Sequence, residues 1–265
     1  MDEQNSELND IAQAWSKRIG ARATWFVGAG AIQQLHEMLG DKGIYIESLG
    51  GVPITVTDIK AAAQKKDPDA CLVCDNTLAT SFGCPAAQLG ATLTIEPLDA
   101  VVSWPGCGFF AVSMGRALPE IVKPYLAFLD REAALPKRVV TDLSAGIDRF
   151  DERRQACWDN TQALAAYLVC HPKVREVRYP GIKTDPSFQV AATTLQHGFG
   201  PCVDFVMEPP AVHSIHRILA SPSNSWSPLG IGFRIDTVHG DKTWFRLTCG
   251  HGKIDALIEV LELLN

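Results

Sequence analysis

The chain has 265 residues, of which 46% are hydrophobic and 20% charged. This balance is typical of a globular protein with a substantial core. A net charge of −6 and the lack of any basic block argue against a nucleic-acid partner. No apolar run reaches the length of a membrane span, and the polar start of the chain is unlike an export signal. We therefore expect a cytoplasmic protein that contacts no membrane.

The first half of the chain alternates strand and helix patterns. Apolar residues at helical spacing predict helices over 7–19 and 31–39, a short helix capped by Asp58, and a helical turn over 85–89. Short apolar runs predict strands over 23–27, 43–47, 71–75, 92–95 and 108–114. Alternation of this kind indicates a mostly parallel, doubly wound sheet with helices on its faces.

The second half has a different pattern. Long helical patterns cover 118–131 and 148–169, and shorter ones 211–219 and 254–264. Strands are predicted over 174–179, 202–207 and 244–248, with a loop rich in Ser, Pro and Gly over 221–232. This order indicates an α+β domain. We therefore place a boundary near residue 135, with a partial large α/β domain over 1–135 and a C-terminal α+β domain over 136–265.

The strand predicted over 71–75 ends abruptly in polar residues, Asp75, Asn76 and Thr77. In open α/β sheets, ligands bind at the carboxyl ends of parallel strands. Asp75 would then stand at the rim of a pocket. The alternative is a plain turn in which the carboxylate bonds its own backbone.

Two other motifs allow a functional and an ordinary interpretation. Gly28-Ala29-Gly30 between a strand and a helix resembles a dinucleotide fingerprint, but Gln33 stands where the third glycine belongs. Cys71 and Cys74 have the spacing of a metal half-site, yet residues three apart on a strand point to opposite faces. We expect no metal site, and we interpret all eight cysteines as reduced thiols packed as small hydrophobes.

The histidines do not define a site from the sequence alone. His213 and His216 have the spacing to share one helix face, but no third ligand follows at a convincing spacing, so a packing or surface role is favoured. His239 and His251 flank the last strand, and the sequence leaves open whether they line a pocket. No Gly-x-Ser-x-Gly elbow is present, which gives that type of hydrolase chemistry no support.

Taken together, colinear stretches from about residue 23 to the C-terminus resemble one enzyme family. They are Gly43–Ser48 with Val56–Ile59, Cys74–Thr80, Asn160–Leu168 with His171–Val174 and Tyr179–Gly181, Gly198–Gly200, and Phe245–Gly250. The family is that of the Cys/Met-metabolism enzymes that use pyridoxal phosphate: cystathionine γ-synthase, cystathionine lyase and O-acetylhomoserine sulfhydrylase. The resemblance implies the fold-type-I, aminotransferase-like α/β fold, with a smaller C-terminal domain and an oligomeric assembly.

The resemblance also implies roles for three residues. An Asp at the position of Asp75 pairs with the pyridine nitrogen of pyridoxal phosphate, which strengthens the ring as an electron sink. Thr77 is implied more loosely as a cofactor contact. An Arg at the position of Arg246 binds the α-carboxylate of the substrate through its planar fork.

Two departures from the family pattern alter the expected function. Ala100 stands where the family has the lysine that forms a Schiff base with the cofactor, and no lysine lies between Lys66 and Lys123. Pro97 and Asp99 stand where the phosphate-binding Ser and Thr belong. The match also begins inside the large domain, so strands and a phosphate loop of the family's front portion lack counterparts. We expect the resulting sheet edge to re-pair or to be covered by another chain.

Two hypotheses of function follow. The first is a degenerate, non-catalytic subunit or pseudoenzyme of this trans-sulfuration family, which assembles with itself, with a homologous chain or with a separately encoded front half. The second is an active pyridoxal-phosphate-dependent C–S lyase or synthase, completed by a partner chain, which acts on cystathionine, homocysteine or homoserine esters. The sequence predicts no catalytic residue of its own for the second hypothesis.

Overall fold

The computed structural model describes residues 3–102, 104, 106–209, 215, 233–240, 242–255, 258 and 262. The predicted helix over 211–219, the predicted loop over 221–232 and the pair His213 and His216 therefore lie outside the described residues, apart from residue 215. Most of the predicted helix over 254–264 also lies outside them. In the described part of the chain, no helix is both long and apolar enough to cross a bilayer.

The elements follow one another in chain order. Those of the first 65 residues are α1 (Glu3–Ile19), β1 (Ala23–Gly28), α2 (Ala29–Leu39), β2 (Gly43–Glu47), β3 (Leu49–Gly50), β4 (Thr55–Val56) and α3 (Ile59–Lys65). The next are β5 (Cys71–Asp75), α4 (Thr80–Gly83), β6 (Leu93–Pro97), α5 (Asp99–Val102), β7 (Phe109–Met114), α6 (Lys123–Glu132) and α7 (Lys137–Ile147). Then come α8 (Phe150–Cys170), β8 (Val174–Arg178), α9 (Phe188–Thr194), β9 (Cys202–Met207), β10 (Phe233–His239) and β11 (Thr243–Cys249).

The chain forms two compact units. Unit 1 comprises Met1–Ser48 and Thr57–Phe150, and unit 2 comprises Leu49–Val56 and Asp151–Asn265. The short hairpin of β3 and β4 thus belongs to unit 2, although it lies between two elements of unit 1. The boundary predicted near residue 135 falls within unit 1 in this division.

Unit 1 is built on a five-stranded sheet in the order β1-β7-β6-β5-β2. Strands β2, β5 and β6 pair in parallel, and β7 runs antiparallel to both of its neighbours. Because β1 is antiparallel to β7, β1 runs in the same direction as β2, β5 and β6. The predicted mostly parallel sheet is confirmed, with β1 at one edge and β2 at the other.

Helices cover both faces of this sheet. On one face, α2 and α6 pack over Val73, Ile95 and Val112 to form a buried core, and the Tyr125 hydroxyl donates to the Ala31 carbonyl at 3.0 Å. On the other face, Trp15 of α1 meets Phe26 of β1 edge to face, with ring centroids 5.9 Å apart. Alternate residues of β1 therefore point to different helical layers, as expected for a doubly wound sheet.

Unit 2 contains a four-stranded antiparallel sheet in the order β10-β11-β9-β8. Helix α8 packs on it through Leu164 and Leu168, which join Val203, Phe205 and Leu247 in one core. The predicted α+β character of this region is confirmed. Strand β10 is absent from the sequence prediction, as are helices α4, α5, α7 and α9.

Candidate functional site

The polar residues that follow β5 form a tightly held turn at the carboxyl end of the sheet. The Asp75 side chain is exposed, and its Oδ1 accepts from the Thr77 amide at 2.8 Å. The Asp75 carbonyl accepts from the Ser48 amide at 2.9 Å, and the Asn76 amide donates to the Ile95 carbonyl at 2.8 Å. The Asx turn considered as the ordinary alternative is therefore present, and it holds the carboxylate of Asp75 at the strand end.

Asn76 is the anchor of this turn. Its side chain is buried, accepts from the Ser48 hydroxyl at 2.7 Å and donates to the Cys84 carbonyl at 3.1 Å. Sequence reasoning assigned no role to Asn76. An amide flanked by Asp and Thr after a buried strand was the only signal, since its two partners lie 28 and 8 residues away.

A cavity of about 410 Å³ opens beside Asp75. Its floor is apolar, with Ile32 of α2 and residues from three strands, Val73, Ile95 and Phe110. Its polar lining consists of His36, Tyr45, Glu47, Asp75 and Thr77. The rings of His36 and Tyr45 stack with centroids 4.2 Å apart. The structure thus brings together the two residues predicted to contact a cofactor, and it adds His36, Tyr45 and Glu47, which were not predicted as contacts of that cofactor.

The charge of this cavity favours cations. Glu47 and Asp75 lie opposite each other in the register of β2 and β5, so two carboxylates sit side by side at the strand ends. Among the described residues, those that line the cavity include no Lys or Arg. A protonated ring nitrogen or an ammonium group suits such a lining, whereas a phosphate group would be repelled.

The acidic side chains of the segment over 96–100 form hydrogen bonds with other residues of the chain. The carboxylate of Glu96 is buried and accepts from the amide and the hydroxyl of Ser81, at 2.7 and 3.2 Å. Asp99 Oδ2 accepts from the Gly106 amide at 2.5 Å, and Asp99 Oδ1 lies 3.0 Å from the Cys107 sulfur. Burial, followed by the hydrogen bond to Asp99, raises the pKa of Cys107 to about 12.

Ala100 lies within this segment, half-buried in the short helix α5. The two carboxylates around it accept hydrogen bonds where a phosphate ligand would have to donate them. The segment therefore offers neither an amine nor a phosphate cradle.

Arg246 lies on β11 in unit 2 and forms a double ion pair. Its Nε donates to Asp204 Oδ1 and its Nη2 to Asp204 Oδ2, both at 2.7 Å. Nη2 also donates to the Gly51 carbonyl at 2.5 Å. The resemblance indicates Arg246, whereas an acid in the middle of an apolar strand gives no local sign that Asp204 is its partner.

The glycines at 28–30 do not form a nucleotide loop. Gly28 ends β1, and α2 begins at the next residue with no loop between them. The Ala29 amide at the helix start donates to the Gly108 carbonyl at 3.1 Å. A pyrophosphate needs free amides at that position. The ordinary interpretation of these glycines, as a junction between a strand and a helix, therefore agrees with the structure.

The remaining motifs do not converge on a site. Cys71 and Cys74 are buried free thiols within β5, and among the described residues no group of three or more His, Cys, Asp or Glu is placed to hold a metal ion. His239 is exposed at the end of β10, and His251 is half-buried after β11. Neither belongs to the cavity beside Asp75.

Comparison with known proteins places the chain among its relatives. A family model described as Cys/Met metabolism PLP-dependent enzyme matches residues 138–221. The L-methionine gamma-lyase of Fusobacterium nucleatum subsp. nucleatum is 21% identical over 197 residues, 72% of this chain and 49% of that protein. The cystathionine gamma-lyase of Bacillus subtilis is 24% identical over 92% of this chain and 59% of its own length.

A third relative, the cystathionine gamma-synthase of Mycobacterium tuberculosis, is 29% identical over 62% of this chain and 42% of its own length. The chain is a relative of the Cys/Met metabolism PLP-dependent enzymes. It spans about half the length of the curated relatives that it matches.

Two solved structures share the fold of this chain. The cystathionine gamma-lyase of Lactobacillus plantarum, complexed with L-serine, superposes with a TM-score of 0.78 at 18% identity over 96% of this chain and 84% of that one. A Campylobacter jejuni protein assigned as an O-acetylhomoserine (thiol)-lyase, with N'-pyridoxyl-lysine-5'-monophosphate, gives a TM-score of 0.79 at 16% identity. That match covers 98% of this chain and 86% of the other. The predicted aminotransferase-like α/β fold is confirmed.

Proposed function

We propose that this chain is a non-catalytic member of the pyridoxal-phosphate-dependent trans-sulfuration family. One observation supports the proposal: the segment where the resemblance places the cofactor lysine has Ala100 in α5, flanked by carboxylates that accept hydrogen bonds from within the chain. A side chain without an amine forms no Schiff base. The proposal describes a pseudoenzyme that retains the fold and has lost the covalent chemistry.

The described residues of unit 1 fit only part of pyridoxal phosphate, the cofactor that the family implies. The cavity beside Asp75 has an apolar floor and a carboxylate for a protonated pyridine nitrogen. It has no cationic lining for the phosphate, and the segment over 96–100 presents acids in place of phosphate ligands. The residues therefore do not fit the covalently bound cofactor, and no catalytic step is assigned to it.

The test is a titration of the purified chain with pyridoxal phosphate, followed by borohydride reduction and intact-mass measurement. We expect no visible absorbance band and no mass gain fixed by borohydride. A band with a stoichiometric mass gain at a single lysine would overturn the proposal, because another amine would then replace the missing one. Chemically acetylated protein serves as the control for nonspecific reaction at surface lysines.

A second function is favoured by one specific observation. Asp75 and Thr77 line a cavity at the carboxyl end of β5 although the lysine is absent. This arrangement supports an active C–S lyase or synthase of cystathionine, homocysteine or homoserine esters in which a partner chain supplies the amine. The resemblance would assign the substrate α-carboxylate to Arg246, whose Nε and Nη2 bind Asp204 in this structure. If wild-type and Asp75→Ala proteins show equal turnover with the partner present, Asp75 has no such role.

The proposed function also includes assembly of the chain into an oligomer. Strand β2 forms an edge of the sheet of unit 1, and Ile44 and Tyr45 on it are exposed. Edge strands of this kind invite pairing with another chain. We expect a homo-oligomer, or a hetero-oligomer with a homologous or front-half chain, in the cytoplasm. Sedimentation velocity across a wide concentration range tests this expectation, and a monomer at all concentrations would leave only the hetero-oligomer.

A further inference from the structure

A buried carboxylate fills the fork of Arg246. Asp204 lies in the middle of β9 and is 0% exposed. Its two oxygens accept from Arg246 Nε and Nη2, both at 2.7 Å, and Oδ2 also accepts from the Ile54 amide at 2.7 Å. Three charge-assisted or backbone hydrogen bonds therefore satisfy one carboxylate that has no access to solvent.

The geometry of this pair is that of carboxylate recognition. A guanidinium binds a free carboxylate through the same parallel pair of N–H donors that Asp204 engages here. Asp204 and Arg246 face each other directly in the register of β9 and β11. The Nε–Nη2 edge of Arg246 is thus occupied by an acid of the chain itself.

We propose that Asp204 is a built-in carboxylate that saturates Arg246 and excludes substrate carboxylates from its Nε–Nη2 edge. The inference rests on the proposed function, since it takes Arg246 as the residue that a substrate carboxylate would otherwise reach. The pairing of Asp204 with Arg246 would then be a second change, separate from the loss of the lysine. This change removes recognition of the α-carboxylate of an amino acid.

Competition favours the internal acid. Asp204 is held in place by the sheet, so its pairing with Arg246 costs no loss of translational freedom, whereas a free amino acid must lose that freedom on binding. An incoming carboxylate would also leave Asp204 buried without its counterion, which is strongly unfavourable. A free carboxylate therefore has no route to this edge in the wild-type chain.

The same sheet offers a matched control pair. Arg234 and Asp236 on β10 form an ion pair with Nε–oxygen distances of 2.7 and 2.9 Å. Their side chains are 54% and 38% exposed, against 16% and 0% for Arg246 and Asp204. Removal of Asp236 leaves Arg234 solvated, so it creates no site for a carboxylate.

The experiment is a rescue by formate, the smallest carboxylate. Asp204→Ala removes the internal acid and leaves room for formate beside Arg246. We expect formate, and not chloride at equal ionic strength, to raise Tm of Asp204→Ala by several degrees through binding to the folded state. Wild type and Asp236→Ala should show no such formate-specific shift. The double variant Asp204→Ala/Arg246→Leu should lose the rescue, which assigns the binding to Arg246.

Lack of a formate-specific shift in folded Asp204→Ala would overturn the proposal, and so would an equal shift in wild type. If Asp204→Ala does not fold, the wild type itself decides. The Arg246 Nε–H resonance should then stay unperturbed by formate and by L-methionine, and a saturable perturbation would contradict the inference. Neither the Tm measurement nor the NMR measurement uses pyridoxal phosphate. Their outcomes are therefore independent of the borohydride test of the proposed function.

Discussion

At the scale of single residues, the turn after β5 shows that two adjacent polar side chains, Asp75 and Asn76, have different roles. Asp75 was singled out because acids at strand ends often meet ligands, and it does line a cavity. Asn76 beside it has no access to that cavity, since it is buried and bonded to Ser48 and Cys84. The exposed carboxylate depends on the buried amide, because Asn76 fixes the backbone from which Asp75 projects.

Replacement of Asn76 should therefore destabilise unit 1. Asn76→Ala leaves the Ser48 hydroxyl and the Cys84 carbonyl without their partner, and loss of such buried bonds costs roughly 1–3 kcal/mol each. Ser48→Ala removes one of these bonds and should cost less. Urea unfolding measures both. Gln34→Ala, which removes an exposed bond to Glu37, is the control and should change little. Equal stability of all three variants would contradict this role of Asn76.

The buried thiols make stability depend on alkaline pH. Burial raises the pKa of Cys71 and of Cys84 from 9.0 to about 12, and that of Cys202 to about 11. The unfolded thiols lose their protons above pH 9.0, whereas the folded ones keep them. The free energy of unfolding contributed by these thiols is therefore constant below that pH and falls as the pH rises towards their folded pKa values.

Urea unfolding at a series of pH values between 9.0 and about 12 tests this dependence. Cys84→Ala should show a shallower decline than wild type over that range, because one shifted thiol is removed. Cys170→Ala is the control, since Cys170 is exposed. If the free energy of unfolding declines with equal slope in all three proteins, other titrating groups dominate the loss of stability at alkaline pH.

At the scale of elements, the sequence predicted most of those with a clear local pattern of apolar residues. Strands β1, β2 and β5 and helices α1, α2 and α8 lie where apolar spacing placed them, to within a few residues at their ends. The cap of α3 was also predicted correctly, since Asp58 accepts from the Ala61 amide at 2.9 Å. These elements have local signals, and local signals are what a single sequence carries.

Most of the elements that were missed are short or follow a run typical of loops, whereas α7 was missed although it has 11 residues. Helices α4 and α5 have four residues each, too few for a helical period to show. Strand β10 does alternate buried Phe233 and Ile235 with more exposed neighbours, but it follows a run rich in Ser, Pro and Gly. The contacts of α5 with α7, and of Glu96 with Ser81, depend on the tertiary fold, so no local pattern could predict them.

Two glycines in helices should respond in opposite ways to alanine. A Cβ on Gly146 of α7 would lie 2.1 Å from the carbonyl oxygen of Val101 in α5, so the two helices must separate. A Cβ on Gly30 of α2 meets nothing within 4 Å. Gly146→Ala should therefore cost about 1–3 kcal/mol, and Gly30→Ala should stabilise by roughly 0.5–1 kcal/mol.

Thermal and urea unfolding of the two variants test this difference in sign. Each change adds one methyl group to a helical glycine, so the variants serve as controls for each other. Stabilisation by Gly146→Ala would show that α5 and α7 do not approach as closely as this backbone contact implies.

At the scale of the whole molecule, neither compact unit is one continuous stretch of the chain. Residues Leu49–Val56 belong to unit 2, although β2 before them and α3 after them belong to unit 1. The Ile54 amide bonds Asp204, 150 residues away, and the Gly51 carbonyl bonds Arg246, 195 residues away. Contacts at such separations leave no trace in local composition, so sequence reasoning assigned this hairpin to the first domain.

The division predicts that two neighbouring core substitutions weaken different units. Leu49 is 2% exposed, and its Cδ2 lies against Gly200 in unit 2; Ile59, ten positions later, is 0% exposed in unit 1. Each change to alanine removes buried methyl groups at a cost of about 2–5 kcal/mol. Leu49→Ala should speed amide hydrogen exchange in β9 and β11, whereas Ile59→Ala should speed it in β5 and β6.

Hydrogen exchange followed by mass spectrometry on both variants and on wild type resolves these strands as separate peptides. Each variant serves as the control for the other, because the substituted residues are close in sequence and similar in size and burial. Faster exchange in the same strands for both variants would mean that the two units unfold as one. Selective exchange would show that the hairpin's contribution to stability follows its distant partners, Asp204 and Gly200, and not its neighbours along the chain.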